Sequence, residues 1–196
     1  MSYKKILVSI TSIIMLLTII AGCVKYESPN AVYRTGIHHA EIVIKDYGTI
    51  SLELDGDTAP ITVTNFLNLA ESGYYDGTTF HRIINEFMMQ GGSGSTVGKS
   101  THTIVGEFSQ NGYKNNISHL RGTISMARSS DMNSASDQFF IVHSDAKYCD
   151  TAYAAFGHVT SGMEIVDEIC QNTPSGENGA VEPADQPVIE TIRVID

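Results

Sequence analysis

Phe80-His81-Arg82-Ile83-Ile84, then Asn85-Glu86, then Phe87-Met88-Met89-Gln90-Gly91-Gly92 is the stretch on which the fold turns. Two short runs of β-branched, aromatic and other apolar residues flank a polar pair, which predicts neighbouring strands over 79–84 and 87–90. Upstream, the runs 41–45 and 49–54 partly alternate around Tyr47-Gly48, the pattern of a hairpin, and Asp55-Gly56-Asp57 ends the second run. Pro60 then opens a helix, a position that tolerates its missing N–H. Val63, Phe66, Leu67 and Ala70 give that helix one apolar face, and Gly73 closes it. Downstream, further strands are predicted over 122–127, 138–142, 155–159 and 188–195. A second helix spans 162–170, with Met163, Val166 and Cys170 on one side. The segments 91–120 and 171–186 read as loops, the latter acidic and rich in Gly and Pro. Many short strands with two helices predict a mainly β protein. That pattern points to a closed β-barrel rather than a parallel sheet.

The 196 residues suit one domain, and 42% hydrophobic with 17% charged content is ordinary for a globular chain. The N-terminus differs in kind. Lys4 and Lys5 precede a nearly unbroken apolar run over 6–20, and Ala21-Gly22-Cys23 follows. A basic start, a short apolar stretch and small residues before a cut read as a signal peptide, and the run is shorter than the ~20 residues a spanning helix needs. Ile20-Ala21-Gly22-Cys23 resembles the lipobox of prokaryotic lipoproteins, which implies a lipid on Cys23 and cleavage just before it. The expected organisation is a leader over 1–22, a lipidated tether over 23–37 and a folded domain over 38–196. The chain carries a net charge of −10, and removing the leader takes away two lysines and no acid, leaving −12. That balance argues against nucleic acid as a partner, since phosphate binding needs a basic face. With Cys23 lipidated, Cys149 and Cys170 remain of the three cysteines; both are expected to be free, buried thiols.

Two motifs suggest chemistry that their context removes. Gly94-Ser95-Thr96-Val97-Gly98-Lys99-Ser100 resembles a phosphate loop, but the required first glycine falls on Ser93 and the following residues read as strand rather than helix. Ser93 also lacks the flanking glycine of a nucleophile elbow, because Ser95 stands there. None of the seven histidines has ligand spacing on a predicted helix, so no metal site is expected.

The first stretch gains meaning from three later blocks: Ser125-Met126-Ala127, then Ser136-Asp137-Gln138-Phe139-Phe140-Ile141, then Ala154-Ala155-Phe156-Gly157-His158-Val159. In order, and at nearly the family spacing, these blocks resemble those of cyclophilins from about His38 to the C-terminus. The resemblance implies a closed antiparallel eight-stranded β-barrel capped by two α-helices, with an external groove, and peptidyl-prolyl cis-trans isomerase activity with no cofactor. Proline-containing peptides and unfolded proteins are the implied partners. By resemblance Arg82 matches the catalytic arginine, while Phe87, Met88 and Phe140 match the proline pocket. Gln90 and Gln138 match polar groups that hold the substrate backbone or orient the arginine. Ala127 and Arg128 fall on the segment beside the substrate, and Tyr148 and Tyr153 on the far rim. The chain has no tryptophan. Tyr148 stands where many cyclophilins carry one that helps bind cyclosporin, so the resemblance does not carry that affinity over. Arg128 stands where many members have Asn, and 129–137 is one residue longer than in many of them, so a different peptide preference is expected. Arg128 is also placed to compete with Arg82 for acidic ligands.

The resemblance fits what the reaction requires. An X-Pro amide rotates over a barrier of roughly 18–20 kcal/mol set by resonance. A catalyst has to favour the twisted amide, whose proline nitrogen regains a lone pair. A guanidinium offers a fixed fork of donors and stays charged at all relevant pH. Taking about 7 kcal/mol off the barrier gives roughly 10⁵-fold, provided the help is stronger in the twisted state. The expectation is an isomerase assisting protein folding outside the cytoplasm, monomeric and anchored to the membrane by lipid on Cys23. The alternatives are a proline-peptide binding module or a surface lipoprotein with little turnover.

Overall fold

The computed structural model describes residues 32–196. The leader, Cys23 and most of the expected tether lie outside the described residues. The compact unit runs from Tyr33 to Asp196 and so starts ahead of the expected boundary at His38. The reason is local. The Arg34 backbone N–H donates to Thr64 Oγ1 at 2.7 Å, and its guanidinium donates to Glu71 Oε1 at 2.9 Å. The end of the expected tether is therefore fastened along the first helix.

The strands are β1 (Ile37–Ile44), β2 (Gly48–Asp55), β3 (Phe80–Ile84), β4 (Met88–Gly91), β5 (Thr123–Met126), β6 (Phe139–Val142), β7 (Ala155–Ser161) and β8 (Ile189–Val194). Helix α1 (Pro60–Glu71) follows β2, and α2 (Met163–Asn172) follows β7. All eight strands form one sheet in the order β3-β4-β6-β5-β7-β2-β1-β8. Every pairing is antiparallel. The sheet curls until its edges meet where Thr79 bridges Val188, with Phe80 N–H donating to Pro187 O at 2.9 Å and Ile189 N–H to Thr78 O at 2.8 Å. The expected eight strands and two helices are all present. The closing seam is a short bridge rather than a full ladder, because β3 and β8 run alongside each other only at that point.

Strand alternation sorts the side chains. Ala40, Ile42 and Ile44 of β1, and Ile50, Leu52 and Leu54 of β2, are buried while their neighbours are not. Inside the curl, Phe66 of α1 meets Phe139 edge-on at 5.5 Å between ring centroids, and Phe139 meets Phe80 in the same way at 6.0 Å. Helix α1 lacks a side-chain cap of its own at Ala59. The buried Glu107 supplies one from a distant loop, accepting from Ile61 N–H at 3.1 Å, Thr62 N–H at 2.8 Å and the Thr62 hydroxyl at 2.7 Å. A carboxylate there meets both the orphan donors and the positive end of the helix. The segment that resembled a phosphate loop forms one 3₁₀ turn, Gly94–Val97. Its Lys99 ammonium donates to the carbonyls of Gly73 and Tyr74 at 2.8 and 3.0 Å.

The opposite parity of β4 and β6 builds a second, smaller apolar cluster on the outer face. Met89, Phe139 and Ile141 join the main core, whereas Met88, Phe140 and Val142 pack with Ala146 and Cys149. Cys149 and Cys170 are both free and buried, and burial pushes their thiols up to about 11 and about 12. Behind Phe140 lies His119, fully buried and stacked on that ring at 5.9 Å. Its Nδ1 is 3.0 Å from Asp150 Oδ1 and its Nε2 is 3.0 Å from Ser125 Oγ. The carboxylate keeps the proton on Nδ1, so Nε2 accepts from the serine hydroxyl. The Asp-His-Ser arrangement looks like a hydrolytic triad, but Ser125 is completely buried and offers no nucleophile to a substrate. It is a polar strut beneath the outer cluster.

Burial lowers the His119 pKa against the opposing pull of Asp150, and burial likewise lowers that of His81. A histidine held neutral by the fold contributes stability that is complete above its ordinary value of 6.5 and is lost as the pH falls from there through the folded value. Burial pushes the Asp150 carboxyl up, yet its bonds from His119 and Ser118 outweigh that and hold it below its ordinary value, so its contribution fades only in a separate, more acidic range. NMR titration of the His119 imidazole is expected to give a midpoint below 6.5, with the denaturant midpoint of the protein falling between pH 7 and pH 5. A His119 midpoint at or above 6.5 would contradict the strut.

Candidate active site

The outer cluster floors a cavity of about 330 Å³. Phe87, Met88, Phe140 and Tyr153 form its apolar part, with Tyr153 edge-on to Phe140 at 5.7 Å. The β3–β4 turn delivers the first two: Glu86 takes a left-handed backbone at φ 61°, and Phe87 N–H closes onto Ile84 O at 3.0 Å. Tyr148 is 72% exposed and leans on Phe87 at 5.6 Å, forming a rim. Cys149 completes the wall. It was not among the residues expected at the site, and its buried, protonated thiol behaves there as a small apolar group.

Arg82 and Gln90 occupy the polar side. They are register partners across β3 and β4, so their side chains emerge together. Arg82 Nη1 donates to Gln90 Oε1 at 3.3 Å, and Gln90 Nε2 donates to Gln138 Oε1 at 2.9 Å. Arg82 Nε donates to the carbonyl of Asn178 at 2.9 Å. That carbonyl comes from the turn Glu177–Gly179, tied to β3 by an Arg82–Ala180 bridge and by Val181 N–H to His81 O at 3.0 Å. Gly179 sits at φ +80°, and a Cβ there would lie 2.7 Å from the Ile83 carbonyl, so only glycine lets the turn approach so closely. In the sequence, Asn178 is only part of an acidic loop. The Asn-Gly pair signals a turn but does not reveal which side chain its carbonyl holds.

Among the described residues no carboxylate lies within ion-pair distance of Arg82, and nothing accepts from its Nη2. A surface salt bridge, the ordinary fate of a strand arginine, is thus not what occupies it. Ala127 and Arg128 line the same cavity from the end of β5. Of the residues expected at the site, Gln138 alone is absent from this lining. It belongs to an adjoining polar cavity of about 310 Å³ that shares Gln90, Ala127 and Arg128. No cluster of three or more His, Cys, Asp or Glu side chains suited to a metal occurs among the described residues. The arrangement is an apolar slot able to take a small ring, beside a fixed guanidinium whose charge is not neutralised.

Comparison with known proteins identifies the family. The family described as cyclophilin type peptidyl-prolyl cis-trans isomerase/CLD matches residues 39–194. Peptidyl-prolyl cis-trans isomerase A of Dickeya dadantii is 39% identical over 129 residues, covering 63% of this chain and 67% of that protein. Peptidyl-prolyl cis-trans isomerase B of Escherichia coli is 36% identical over 167 residues, covering 80% of this chain and 95% of the relative. A Cryptosporidium parvum cyclophilin-type isomerase crystal structure superposes with a TM-score of 0.71 at 28% identity, covering 82% of this chain and 99% of that one. The same Cryptosporidium isomerase crystallised in the presence of the dipeptide Ala-Pro superposes at 0.70 with 29% identity, covering 81% of this chain and 99% of that one. The match over nearly the whole folded unit, with a slot and an arginine on its outer face, makes this chain a member of the cyclophilin-type peptidyl-prolyl cis-trans isomerase family.

Proposed function

We propose that this isomerase turns X-Pro bonds in the cavity floored by Met88 and Phe140, with Arg82 as its catalytic residue, in proteins that fold outside the cytoplasm. The observation that carries the catalytic reading is the tethered, unneutralised guanidinium beside an apolar slot. Proline enters the slot between Phe87, Met88 and Phe140, where aromatic and thioether surfaces bind a ring without fixing its rotation. Gln90 and Gln138 take the peptide backbone on the polar side, and Tyr148 and Tyr153 border the far end. As the amide twists, the proline nitrogen becomes an acceptor and Arg82 donates to it. The bond is made in the twisted state and not in the planar one, which is the condition for lowering the barrier. No covalent step or energy source is required. That a related isomerase was crystallised with Ala-Pro supports an Ala-Pro peptide as the probe.

The cellular setting rests on the sequence of the N-terminus. The basic start, the apolar run and Ile20-Ala21-Gly22-Cys23 support export and lipidation at Cys23, with the segment from Val24 as a tether. Two or more acyl chains hold a protein stably at a membrane where one does not. Slow X-Pro rotation limits folding in that compartment as elsewhere.

Exchange NMR of an Ala-Pro peptide with the full chain is expected to show fast interconversion. Arg82→Ala is expected to cut kcat/KM by about a hundredfold or more, in line with the loss of one transition-state donor, while peptide affinity falls by less than about tenfold. Equal losses in both would mark Arg82 as a binding group only. No turnover by the folded wild type would favour a proline-peptide binding module or a surface lipoprotein. Mass spectrometry of the native N-terminus is expected to find a chain beginning at an acylated Cys23. An unmodified Cys23, or one still preceded by the leader, would overturn the anchor and with it the assigned location.

A further inference from the structure

Arg128 lies between two cavities. It lines the apolar slot and also the adjoining polar cavity, which Ser129, Ser134 and Gln138 border. Its position is fixed from several directions. Nε donates to the Ala152 carbonyl at 2.8 Å, and Nη1 donates to the Ser129 carbonyl at 2.8 Å. The guanidinium carbon sits 5.0 Å from the ring centroids of both Phe108 and Tyr153. Phe108 follows Glu107, whose carboxylate caps α1.

Those contacts hold the cation without neutralising it. Among the described residues no carboxylate pairs with Arg128, and its Nη2 has no protein acceptor. Neither cavity has an Asp or Glu in its lining, in a chain with 22 acidic residues against 12 Lys and Arg. The carboxylates close by in sequence or space are engaged elsewhere. Asp131 accepts from Asn133 N–H at 2.8 Å. Asp137 accepts from Tyr74, Gly94 and Ser136, and Asp150 from Ser118 and His119. The result is a preorganised cation with spare donors, held where it loses little freedom on binding.

We propose that Arg128 makes this isomerase selective for X-Pro segments with a carboxylate close to the proline, the acidic side chain entering the polar cavity while the ring occupies the slot. This rests on the reading of the slot as the proline site. The bulk field of the protein works against the preference, because a net charge of −10 repels acidic peptides at a distance. An acidic preference therefore has to arise from a local cation.

The test uses the full chain and exchange NMR on capped peptides, free of terminal charges, with Glu, Gln or Lys at each of the two positions before and after proline. At one or more positions Glu is expected to exceed Gln in kcat/KM by about fivefold, with Lys below Gln, the size of a partly exposed ion pair. Raising the salt to 0.5 M, about where screening shortens to a few ångströms, is expected to bring the ratio near one. Arg128→Asn and Arg128→Gln are expected to abolish the ratio whatever happens to overall turnover. A wild-type ratio near one at every position would overturn the proposal, and so would a Glu preference that survives in both folded variants, which would assign the charge readout to Arg82. Absence of turnover on the Gln peptides would instead refute the isomerase reading. If neither variant folds, a wild-type ratio that does not fall with salt would still overturn the proposal.

Discussion

A strand arginine on an outer face has four rotatable bonds and sweeps a wide volume; Arg82 does not, because its guanidinium is bound at two of its nitrogens. Nε is held by the Asn178 carbonyl and Nη1 by Gln90, which is itself held by Gln138. Every other feature of the site presupposes that restraint. An untethered cation would follow the ground-state and twisted amides equally well, and uniform stabilisation does not speed the chemical step. The tether rests in turn on the turn Glu177–Gly179 lying directly on β3, and that approach depends on Gly179, where a Cβ would strike the Ile83 backbone and Ile84.

The curled sheet supplies the other half of the site through parity. On β4 and β6, one set of alternate residues fills the main core and the other set faces outward as the floor of the slot. A one-residue slip would exchange the two sets. Behind the floor, His119 props Phe140 with a bonded imidazole rather than with more apolar bulk. A buried strut of this kind is directional and fixes the ring plane, at the cost of sensitivity to acid. Beside the floor, the cap on α1 and the stacking of Arg128 share one loop, since Glu107 and Phe108 are adjacent.

Much of this was legible in the residues. The alternation of β1 and β2, the apolar face of α1 and the breaks at Gly and Pro set out the strands and helices with small errors at their ends. The blocks around Arg82, Gln90 and Phe140 singled out side chains that the structure gathers into one cavity. What stayed hidden depends on backbone groups and on long-range contact. The Asn178 carbonyl carries no side-chain signature. The engagement of Arg34 with Thr64 and Glu71 looks like polar tether until the helix is in place. The bridge of Thr79 to Val188 joins residues far apart in the chain with no pattern to announce it. Cys149 reads only as a free, buried thiol and proves to be a piece of the wall. Arg128 could be seen as a departure, but its two aromatic partners, Phe108 and Tyr153, come from opposite sides of it in sequence and meet only in the fold.

The central claim is that a tethered fork of donors, rather than a positive charge alone, turns the amide. Arg82→Lys separates the two, because lysine keeps the charge yet cannot hold the Asn178 carbonyl and Gln90 together while presenting a planar fork. The decisive measurement is the exchange rate of an Ala-Pro peptide catalysed by the folded Arg82→Lys variant, compared with the wild type. The account predicts a loss of about a hundredfold. A rate within about threefold of the wild type, worth less than ~1 kcal/mol, would show that charge suffices and would contradict it.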